Sequence, residues 1–324
     1  MSNAIVLRAV GGPEQLRLEP LAVALPGRGE LLVRHTAIGV NFHDTYVRSG
    51  LYRTLTLPGV PGIEAAGVVE QAGENDCEFV AGDRIAYVDS HYGAYAQRRI
   101  LSASLAVRLP VGVSDEAAAS ITVKGLTACV LLRHVHRVQA GETVLVHAAA
   151  GGVGRLLVQW AKHLGASVIG TAGSEEKAKV ALDCGADAVI LYRREDVPDR
   201  VRAFTNGKGA DVIYDSVGND TFLKSLDSLA YFGKLVSFGQ SSGAVEPFSI
   251  GRLAARSATV VRPYLFHYIQ ERSAFEALTA ETFKALLSQV IRSEIGLRLP
   301  LAQAADAHRA IESRSTSGSI VLIP

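Results

Sequence analysis

The spacing of apolar residues changes along the chain and divides it into regions. In roughly the first third, short apolar runs are interrupted often by glycine, for example at Gly62, Gly67 and Gly73. This spacing is typical of short β-strands separated by turns, and it predicts strands at 30–35 and 65–69. We therefore expect the first region to be irregular and mainly β.

From Glu142 onward, apolar runs of strand length alternate with longer segments of helical spacing. Strands that alternate with helices form a parallel sheet through right-handed crossovers. The predicted strands are 143–147, 167–171, 188–191, 211–215 and 235–238. The predicted helices are 152–164, 174–184 and 220–230. This order predicts an α/β domain with a doubly wound parallel sheet of the Rossmann type.

Helical spacing also occurs on both sides of this alternating region. Ser114 is a suitable N-cap for a helix at 115–121, and a second apolar helix is predicted at 126–138. After the last strand of the alternation, a helix is predicted at 274–293 and a terminal strand at 318–323. These flanking elements do not continue the β-α-β order and belong to a different domain.

The chain has 324 residues, a length that accommodates roughly two domains. The change in the spacing of apolar residues places the α/β domain at residues 122–261. The second, mainly β domain is expected to form from residues 1–121 and 262–324, so that one domain is inserted into the other.

Composition excludes several classes of protein. The 33 basic and 32 acidic residues give a net charge of +1, and no basic block occurs, which argues against a nucleic-acid partner. The first residues lack the charged and then apolar pattern of a signal peptide, and no uninterrupted apolar run approaches the ~20 residues of a membrane span. The sequence therefore predicts a soluble cytoplasmic protein without a membrane partner.

The cysteines are few and far apart. Cys77, Cys129 and Cys184 form no CxxC pair and no compact set of metal ligands. A disulfide framework and a cysteine-rich zinc module are therefore both disfavoured.

The segment 144–154 carries the clearest functional motif. It follows a predicted strand, precedes a predicted helix and reads Ala149-x-Gly151-x-x-Gly154, a GxGxxG pattern with alanine first. Gly151 would let the backbone approach a pyrophosphate, and Gly154 would let the helix pack close to the strand. The alternative is a plain tight turn, but the β-α-β context favours nucleotide binding.

The end of the second predicted strand separates NAD from NADP. NAD enzymes carry an acid about 20 residues after the glycines, but Thr171 stands there, and Glu175 lies at the start of the next helix. Ser174 can donate to a phosphate, Lys177 can pair with its charge, and Tyr192 can add a hydroxyl. NADPH is therefore the predicted cofactor, although Lys177 can also be read as a solvated helix lysine.

Several segments together resemble one known family, the NADPH:quinone oxidoreductases. These enzymes are the zeta-crystallin-like branch of the medium-chain dehydrogenase/reductase superfamily, and the resemblance is closest to the bacterial members. It extends over nearly the whole chain and implies a Rossmann domain inserted in a GroES-like catalytic domain, assembled as a homodimer. The segments that carry the resemblance are 11–14, 41–50, 57–67, 124–128, 149–154 and 318–324.

The resemblance also implies that no zinc is bound. Zinc alcohol dehydrogenases of the superfamily have a cysteine at the position of Asn41 and a histidine at the position of Ile63, and neither residue here replaces those ligands. Without a metal to polarise an alcohol or carbonyl, hydride donation to an electron-poor acceptor is favoured.

The resemblance implies a catalytic site at Asn41, Tyr46 and Tyr52. Asn41 would bond the acceptor carbonyl or the ribose, and the tyrosines would form a wall for a planar quinone. The implied cofactor-binding residues are Phe42, His43, Asp44, Thr127, Gly151, Gly152, Val153, Gly154, Gly173, Ser174, Lys177, Tyr192, Val217, Phe238, Gly239, Ser241, Arg262, Tyr264 and Arg314. Taken singly, many have ordinary structural readings, such as turn formation for Asn41 or core packing for the tyrosines.

We therefore expect NADPH-dependent reduction of quinones by hydride transfer, independent of zinc. A reductase of α,β-unsaturated carbonyls and a non-catalytic NADPH-binding protein are the alternatives. Turnover of a quinone against an enone separates the first two, and tight NADPH binding without turnover would indicate the third.

Overall fold

The computed structural model describes residues 2–73, 78–313 and 316–324. Its strands are β1 (Ser2–Leu7), β2 (Leu16–Leu21), β3 (Glu30–Val40), β4 (Glu64–Ala72), β5 (Arg84–Val88), β6 (Arg98–Ser102), β7 (Ala106–Arg108), β8 (Thr143–Val146), β9 (Ser167–Ala172), β10 (Ala188–Leu191), β11 (Ala210–Asp215), β12 (Leu229–Ser237), β13 (Thr259–Val261), β14 (Ile295–Pro300) and β15 (Ser319–Ile323). Its α-helices are α1 (Phe42–Ser49), α2 (Asp115–Val130), α3 (Gly152–His163), α4 (Glu175–Asp183), α5 (Val197–Phe204), α6 (Phe222–Ser228), α7 (Leu265–Tyr268), α8 (Arg272–Leu287) and α9 (Ala304–Glu312).

The chain divides into two compact units. One consists of Met1–Lys124, Ile269–Leu287 and Ser293–Pro324, and the other of Gly125–Tyr268 and Ser288–Arg292. These bounds differ by a few residues from the domain limits expected from the sequence.

Two short segments belong to the α/β unit, although the sequence predicted them to lie in the mainly β domain. The first follows β13, and Arg262 at its start donates from Nη1 to the Gly239 carbonyl oxygen at 2.9 Å. The second ends at Arg292, whose backbone N–H donates to Gln159 Oε1 at 2.7 Å. These hydrogen bonds are a physical reason for the grouping.

The α/β unit has the strand order of a dinucleotide-binding fold. Its parallel sheet runs β10-β9-β8-β11-β12-β13, which is the order 3-2-1-4-5-6 when the strands are counted along the chain. Leu145, Ile169, Ile213 and Leu235 are fully buried in this unit. The direction of winding reverses between β8 and β11, where such folds bind ligands at the carboxyl ends of the strands. The predicted Rossmann fold is confirmed.

The other unit is mainly β, as predicted. Its larger sheet runs β14-β15-β3-β4-β5-β7, with β6 also paired to β3, while β1 and β2 form a separate antiparallel pair. The long strand β3 turns Leu31, Val33 and Ile38 into the core. Because β3 ends at Val40, the next residue, Asn41, stands at the start of α1.

The sequence prediction was wrong for the helices that precede the α/β region. The helices expected at 115–121 and 126–138 are the single helix α2, which continues into a π-helical turn at Leu131–Val135. Gly125 did not end the helix, because it and its neighbours are buried and tertiary packing outweighs its low helix propensity.

One helical stretch of the described residues is long and apolar enough to cross a membrane by length and composition alone. It covers Asp115–Val135, and 72% of its apolar window is buried inside the protein. Core helices commonly pass the same test, so the stretch is weak evidence for a membrane span.

Candidate functional site

The glycine loop connects β8 to α3 through a tight turn. Ala148 adopts a positive φ of 50°, and its carbonyl oxygen accepts the Gly151 backbone N–H at 2.8 Å. A Cβ on Gly154 would lie 2.2 Å from that same oxygen, so only glycine fits there. Gly151 is the N-cap of α3, and Gly152 and Val153 open its first turn, where N–H groups have no acceptor within the helix. This geometry suits a pyrophosphate.

A buried polar network lies beneath the glycine loop. His147 contacts Thr171 Oγ1 through Nδ1 at 3.1 Å and Ser225 Oγ through Nε2 at 2.9 Å. Ser225 Oγ donates to Asp215 Oδ2 at 3.2 Å, and Thr171 Oγ1 accepts the Ala148 backbone N–H at 3.3 Å. Burial lowers the pKa of His147. His147 is thus a partnered core histidine that ties the ends of β8, β9 and β11 to the loop.

The three residues predicted to select NADPH (Ser174, Lys177 and Tyr192) and Gly173 are neighbours at the carboxyl end of β9. A Cβ on Gly173 would lie 2.8 Å from the Tyr192 hydroxyl oxygen. Ser174 is the N-cap of α4, and its Oγ accepts the Lys177 backbone N–H at 3.4 Å. The Tyr192 side chain is exposed, and its backbone N–H donates to the Ala172 carbonyl at 3.3 Å. The arrangement places two hydroxyl groups and one lysine at this strand end, together with the exposed carboxylates of Glu175 and Glu176.

Asp215 organises the end of β11. Its Oδ1 accepts the backbone N–H groups of Val217 at 2.8 Å and Gly218 at 3.1 Å, and the Thr221 hydroxyl donates to both of its carboxylate oxygens. Its own carbonyl oxygen accepts the Phe238 backbone N–H at 2.8 Å. Sequence reasoning missed Asp215 as the organising residue of this loop, although it named Val217 and Phe238.

Arg262 holds the loop that follows β12. Besides its bond to Gly239, its Nη1 donates to Ser237 Oγ at 3.1 Å. The backbone N–H of Ser241 donates to Ser216, just beyond β11, at 3.2 Å. The structure therefore brings the predicted residues Gly239, Ser241 and Arg262 together at one edge of the sheet.

Three further predicted cofactor residues lie elsewhere in the chain. Tyr264 has an exposed side chain that packs against Phe266 at a ring distance of 5.2 Å and His267 at 5.1 Å. Thr127 is half-buried on α2. Arg314 lies outside the described residues.

In the mainly β unit, two buried side chains hold the start of α1. The backbone N–H of Asn41 donates to Asp44 Oδ2 at 2.8 Å, and the Tyr95 hydroxyl donates to the same oxygen at 3.0 Å. Asp44 is fully buried, and its Oδ1 has no hydrogen-bond partner among the described residues. Burial raises the pKa of Asp44 to about 7. Its side chain therefore positions the helix start from inside the unit, and its cofactor contact stays a prediction.

Asn41 is also held by its side chain. Its Nδ2 donates to Glu64 Oε1 at 2.7 Å, and the other carboxylate oxygen of Glu64 accepts the Val123 backbone N–H at 2.7 Å. Lys124 Nζ lies 3.4 Å from Oε1. Glu64 and Lys124 both occur in the segments that carried the family resemblance, but nothing in the sequence pattern indicated that they meet.

Five aromatic side chains, defined here as the aromatic cluster, surround the first turns of α1. Ring centroids are 6.2 Å apart for Phe42 and Tyr46, 5.1 Å for Tyr46 and Tyr52, 5.5 Å for Tyr52 and His43, and 5.9 Å for His43 and Tyr92. Burial lowers the pKa of His43 to about 4, so the imidazole is uncharged at neutral pH. The cluster thus contains the two predicted catalytic tyrosines and is suited to a flat, uncharged ligand.

Asn41 and Ile63, which stand at the positions expected for the superfamily's catalytic zinc ligands, have other surroundings here. Ile63 is buried, and the Asn41 amide is bonded to Glu64. Within 2–73, 78–313 and 316–324, no group of three or more His, Cys, Asp or Glu residues is arranged to hold a metal ion. Cys129 and Cys184 are buried free thiols, and Cys77 falls outside these ranges.

Comparison with known proteins identifies the family. Residues 27–183 match the alcohol dehydrogenase GroES-like domain, and residues 152–283 match the zinc-binding dehydrogenase domain. The quinone oxidoreductase of Pseudomonas aeruginosa is 45% identical over 325 residues, covering 100% of both chains. The chain belongs to the quinone oxidoreductase family. The predicted family resemblance is confirmed.

Solved structures agree with this assignment. The crystal structure of Escherichia coli quinone oxidoreductase complexed with NADPH matches with a TM-score of 0.96 and 44% identity, covering 99% of this chain and 100% of that one. A further relative of this chain is the 2-haloacrylate reductase of a Burkholderia species, which is 41% identical over 100% of this chain and 99% of its own length.

Proposed function

We propose that this chain is an NADPH:quinone oxidoreductase that reduces quinones by hydride transfer. The observation that carries the proposal is the full-length match, at a TM-score of 0.96, to a quinone oxidoreductase complexed with NADPH. The geometry of the glycine loop and of the aromatic cluster supports it independently.

The residues at the carboxyl edge of the parallel sheet fit NADPH. Gly154 lets α3 pack against the Ala148 carbonyl oxygen, which a Cβ would approach to 2.2 Å, and the end of β9 carries the Tyr192 hydroxyl beside Gly173 instead of an acid. Gly151, Gly152, Val153 and Gly154 would hold the pyrophosphate, and Gly173, Ser174, Lys177 and Tyr192 the 2′-phosphate. The nicotinamide half would be held by the remaining predicted residues, which are Phe42, His43, Asp44, Thr127, Val217, Phe238, Gly239, Ser241, Arg262, Tyr264 and Arg314. When bound, NADPH supplies the hydride.

The residues around α1 orient the acceptor. Tyr46 and Tyr52 offer ring faces and edges to a planar quinone, and uncharged His43 keeps this surface free of a fixed charge. Asn41 contributes a carboxamide in a fixed orientation. We assign neither tyrosine as an obligatory proton donor, because a reduced quinone is basic enough to take protons from water.

We further propose that the enzyme acts without zinc, as a homodimer in the cytoplasm. The residues at the two ligand positions support zinc independence. The interior strand β12 pairs on one side with β11 and on the other with β13, so it cannot extend the sheet across a subunit boundary. The edge strand β13 is the better candidate, since its second side pairs with no strand of the described residues.

A panel of quinones and enones, assayed by loss of NADPH absorbance with and without a zinc chelator, tests the proposal. We expect faster turnover of quinones than enones, higher affinity for NADPH than NADH, and no effect of the chelator. Faster enone turnover would favour the alternative that the 2-haloacrylate reductase relative represents. Tight NADPH binding with no turnover of either class would refute both enzyme assignments.

A further inference from the structure

Glu64 is a carboxylate that the proposed chemistry does not use directly, although it is completely buried. Removing a carboxylate from water costs several kcal/mol unless partners replace the lost hydration. Here Asn41 Nδ2 and the Val123 backbone N–H each donate to one oxygen at 2.7 Å, and Lys124 supplies a positive charge at 3.4 Å. Every partner is itself on a buried segment, so the arrangement is built into the fold.

The neighbouring strand leaves room for this carboxylate. A Cβ on Gly39 would lie 2.4 Å from Glu64 Oε1 and 2.3 Å from the Ala119 carbonyl oxygen. Gly39 has no positive φ, so glycine is required here for steric reasons and not for its backbone conformation. β3, β4 and α2 therefore enclose a pocket that Glu64 fills.

The consequence of this enclosure falls on Asn41. An ionised carboxylate accepts hydrogen bonds and cannot donate them, so Glu64 selects the orientation in which the Asn41 amide nitrogen faces it. The Asn41 backbone is fixed at the same time by Asp44. The carboxamide oxygen is thereby directed away from Glu64 and toward the Asp44 backbone N–H, with which Asn41 forms a capping box at the start of α1. Its second lone pair can accept from a donor on a bound ligand.

We propose that Glu64 is a positioning residue for quinone reduction, acting through the Asn41 carboxamide, with Lys124 balancing its charge. The inference rests on the proposed function, in which Asn41 contacts the reactants. It explains why the chain keeps a buried ion pair where a well-packed apolar pair would be no less stable.

The variant Glu64→Gln tests the proposal because it changes the hydrogen-bond pattern with little change in shape, while it also removes the negative charge that faces Lys124. The Val123 backbone N–H cannot turn round, so the introduced glutamine must keep its oxygen there and present its NH₂ group to Asn41. Asn41 then turns its own oxygen toward that NH₂ group, which reverses the carboxamide. We expect kcat/KM for the quinone to fall about tenfold, the effect of inverting one buried hydrogen bond.

A double-mutant cycle separates positioning from a general structural role. In an Asn41→Ala background, Glu64→Gln should change kcat/KM by less than about twofold, because the group through which it acts is gone. The exchange variant Glu64→Gln/Asn41→Asp, which restores a donor facing an acceptor and keeps the net charge, should recover most of the loss. Equal tenfold losses in both backgrounds, or wild-type kcat/KM in folded Glu64→Gln, would overturn the proposal.

Two further measurements keep the test decisive. If Glu64→Gln does not fold, hydrogen exchange of the Asn41 side-chain amide can be followed by NMR in the wild-type protein, where Asn41→Ala assigns the resonance. Slow exchange supports the bond to Glu64, and solvent-like exchange contradicts it. A wild-type protein that reduces no quinone would refute the proposed function. An active protein whose Asn41→Ala variant is impaired and whose folded Glu64→Gln variant is unaffected would refute only this inference.

Discussion

The buried carboxyl group of Asp44 makes a measurable prediction about stability. Asp44→Asn keeps an oxygen for the Asn41 backbone N–H and the Tyr95 hydroxyl, and places an NH₂ group at the Oδ1 position that has no partner among the described residues. It also removes the ionisation. The variant should therefore gain stability relative to the wild type as the pH rises.

The size and direction of the effect follow from the pKa of Asp44. The folded chain raises this pKa from 3.8 to about 7, chiefly through burial, with opposing contributions from its hydrogen bonds to Asn41 and Tyr95. Because the folded state holds the proton more tightly than the unfolded chain, ionisation destabilises the fold as pH rises through this interval. Ionisation of Asp44 should therefore lower the free energy of unfolding by at most about 4 kcal/mol. Above about pH 7 the difference in free energy of unfolding between Asp44→Asn and the wild type should become constant.

Nearby histidines act in the opposite direction. Burial lowers the pKa of His308 to about 3, assisted by the positive charge of Arg48, and burial lowers that of His43 to about 4. Their contributions to stability are lost as pH falls from about 6.5 toward those values. They are present in both proteins, so the difference between variant and wild type isolates Asp44.

The assay is urea denaturation of both proteins followed by circular dichroism between pH 4 and pH 8. Asp306→Asn is the matched control, because its exposed carboxylate lies in the same unit on α9 and pairs with Arg309 at the surface. The control should track the wild type across the whole range. A difference between Asp44→Asn and wild type that stays flat from pH 4 to pH 7 would refute the burial argument.

Three other changes have defined outcomes. Gly154→Ala should displace the glycine loop and weaken NADPH binding at least tenfold by equilibrium titration, whereas Gly251→Ala, at an unstrained surface position, should not. Ser225→Ala should lower the free energy of unfolding by about 1–3 kcal/mol, because it leaves His147 Nε2 buried without this partner; unchanged urea midpoints would contradict the network. Lys177→Met should weaken NADPH binding about tenfold and leave NADH binding nearly unchanged, and equal losses for both would exclude a 2′-phosphate contact.

The sequence predicted well those features that depend on neighbouring residues. The glycine loop was recognisable because the strand, the turn and the helix follow one another directly between Val144 and His163. The same holds for the grouping of Gly173, Ser174 and Lys177 at one helix start. Local spacing and capping chemistry carry this information.

Contacts between residues far apart in the chain could not be predicted from local spacing and capping patterns. Lys124 and Glu64 are 60 positions apart, and only the folding of α2 against β4 brings them together. The single helix α2 was also missed, because the burial that stabilises Gly125 within it is a tertiary property. Nothing in the spacing indicated that β12 would be an interior strand, since that depends on where β13 pairs.

The central claim is that this chain transfers a hydride from NADPH to a quinone without a metal. The most direct measurement is the rate of NADPH oxidation by a simple quinone, using protein dialysed against a zinc chelator. A parallel single-turnover experiment uses NADPH that carries deuterium at the transferred position of nicotinamide C4. The account predicts undiminished turnover after dialysis and a slower single turnover with the deuterated cofactor. Loss of turnover on dialysis that added zinc restores, or equal single-turnover rates with the two cofactors, would contradict it.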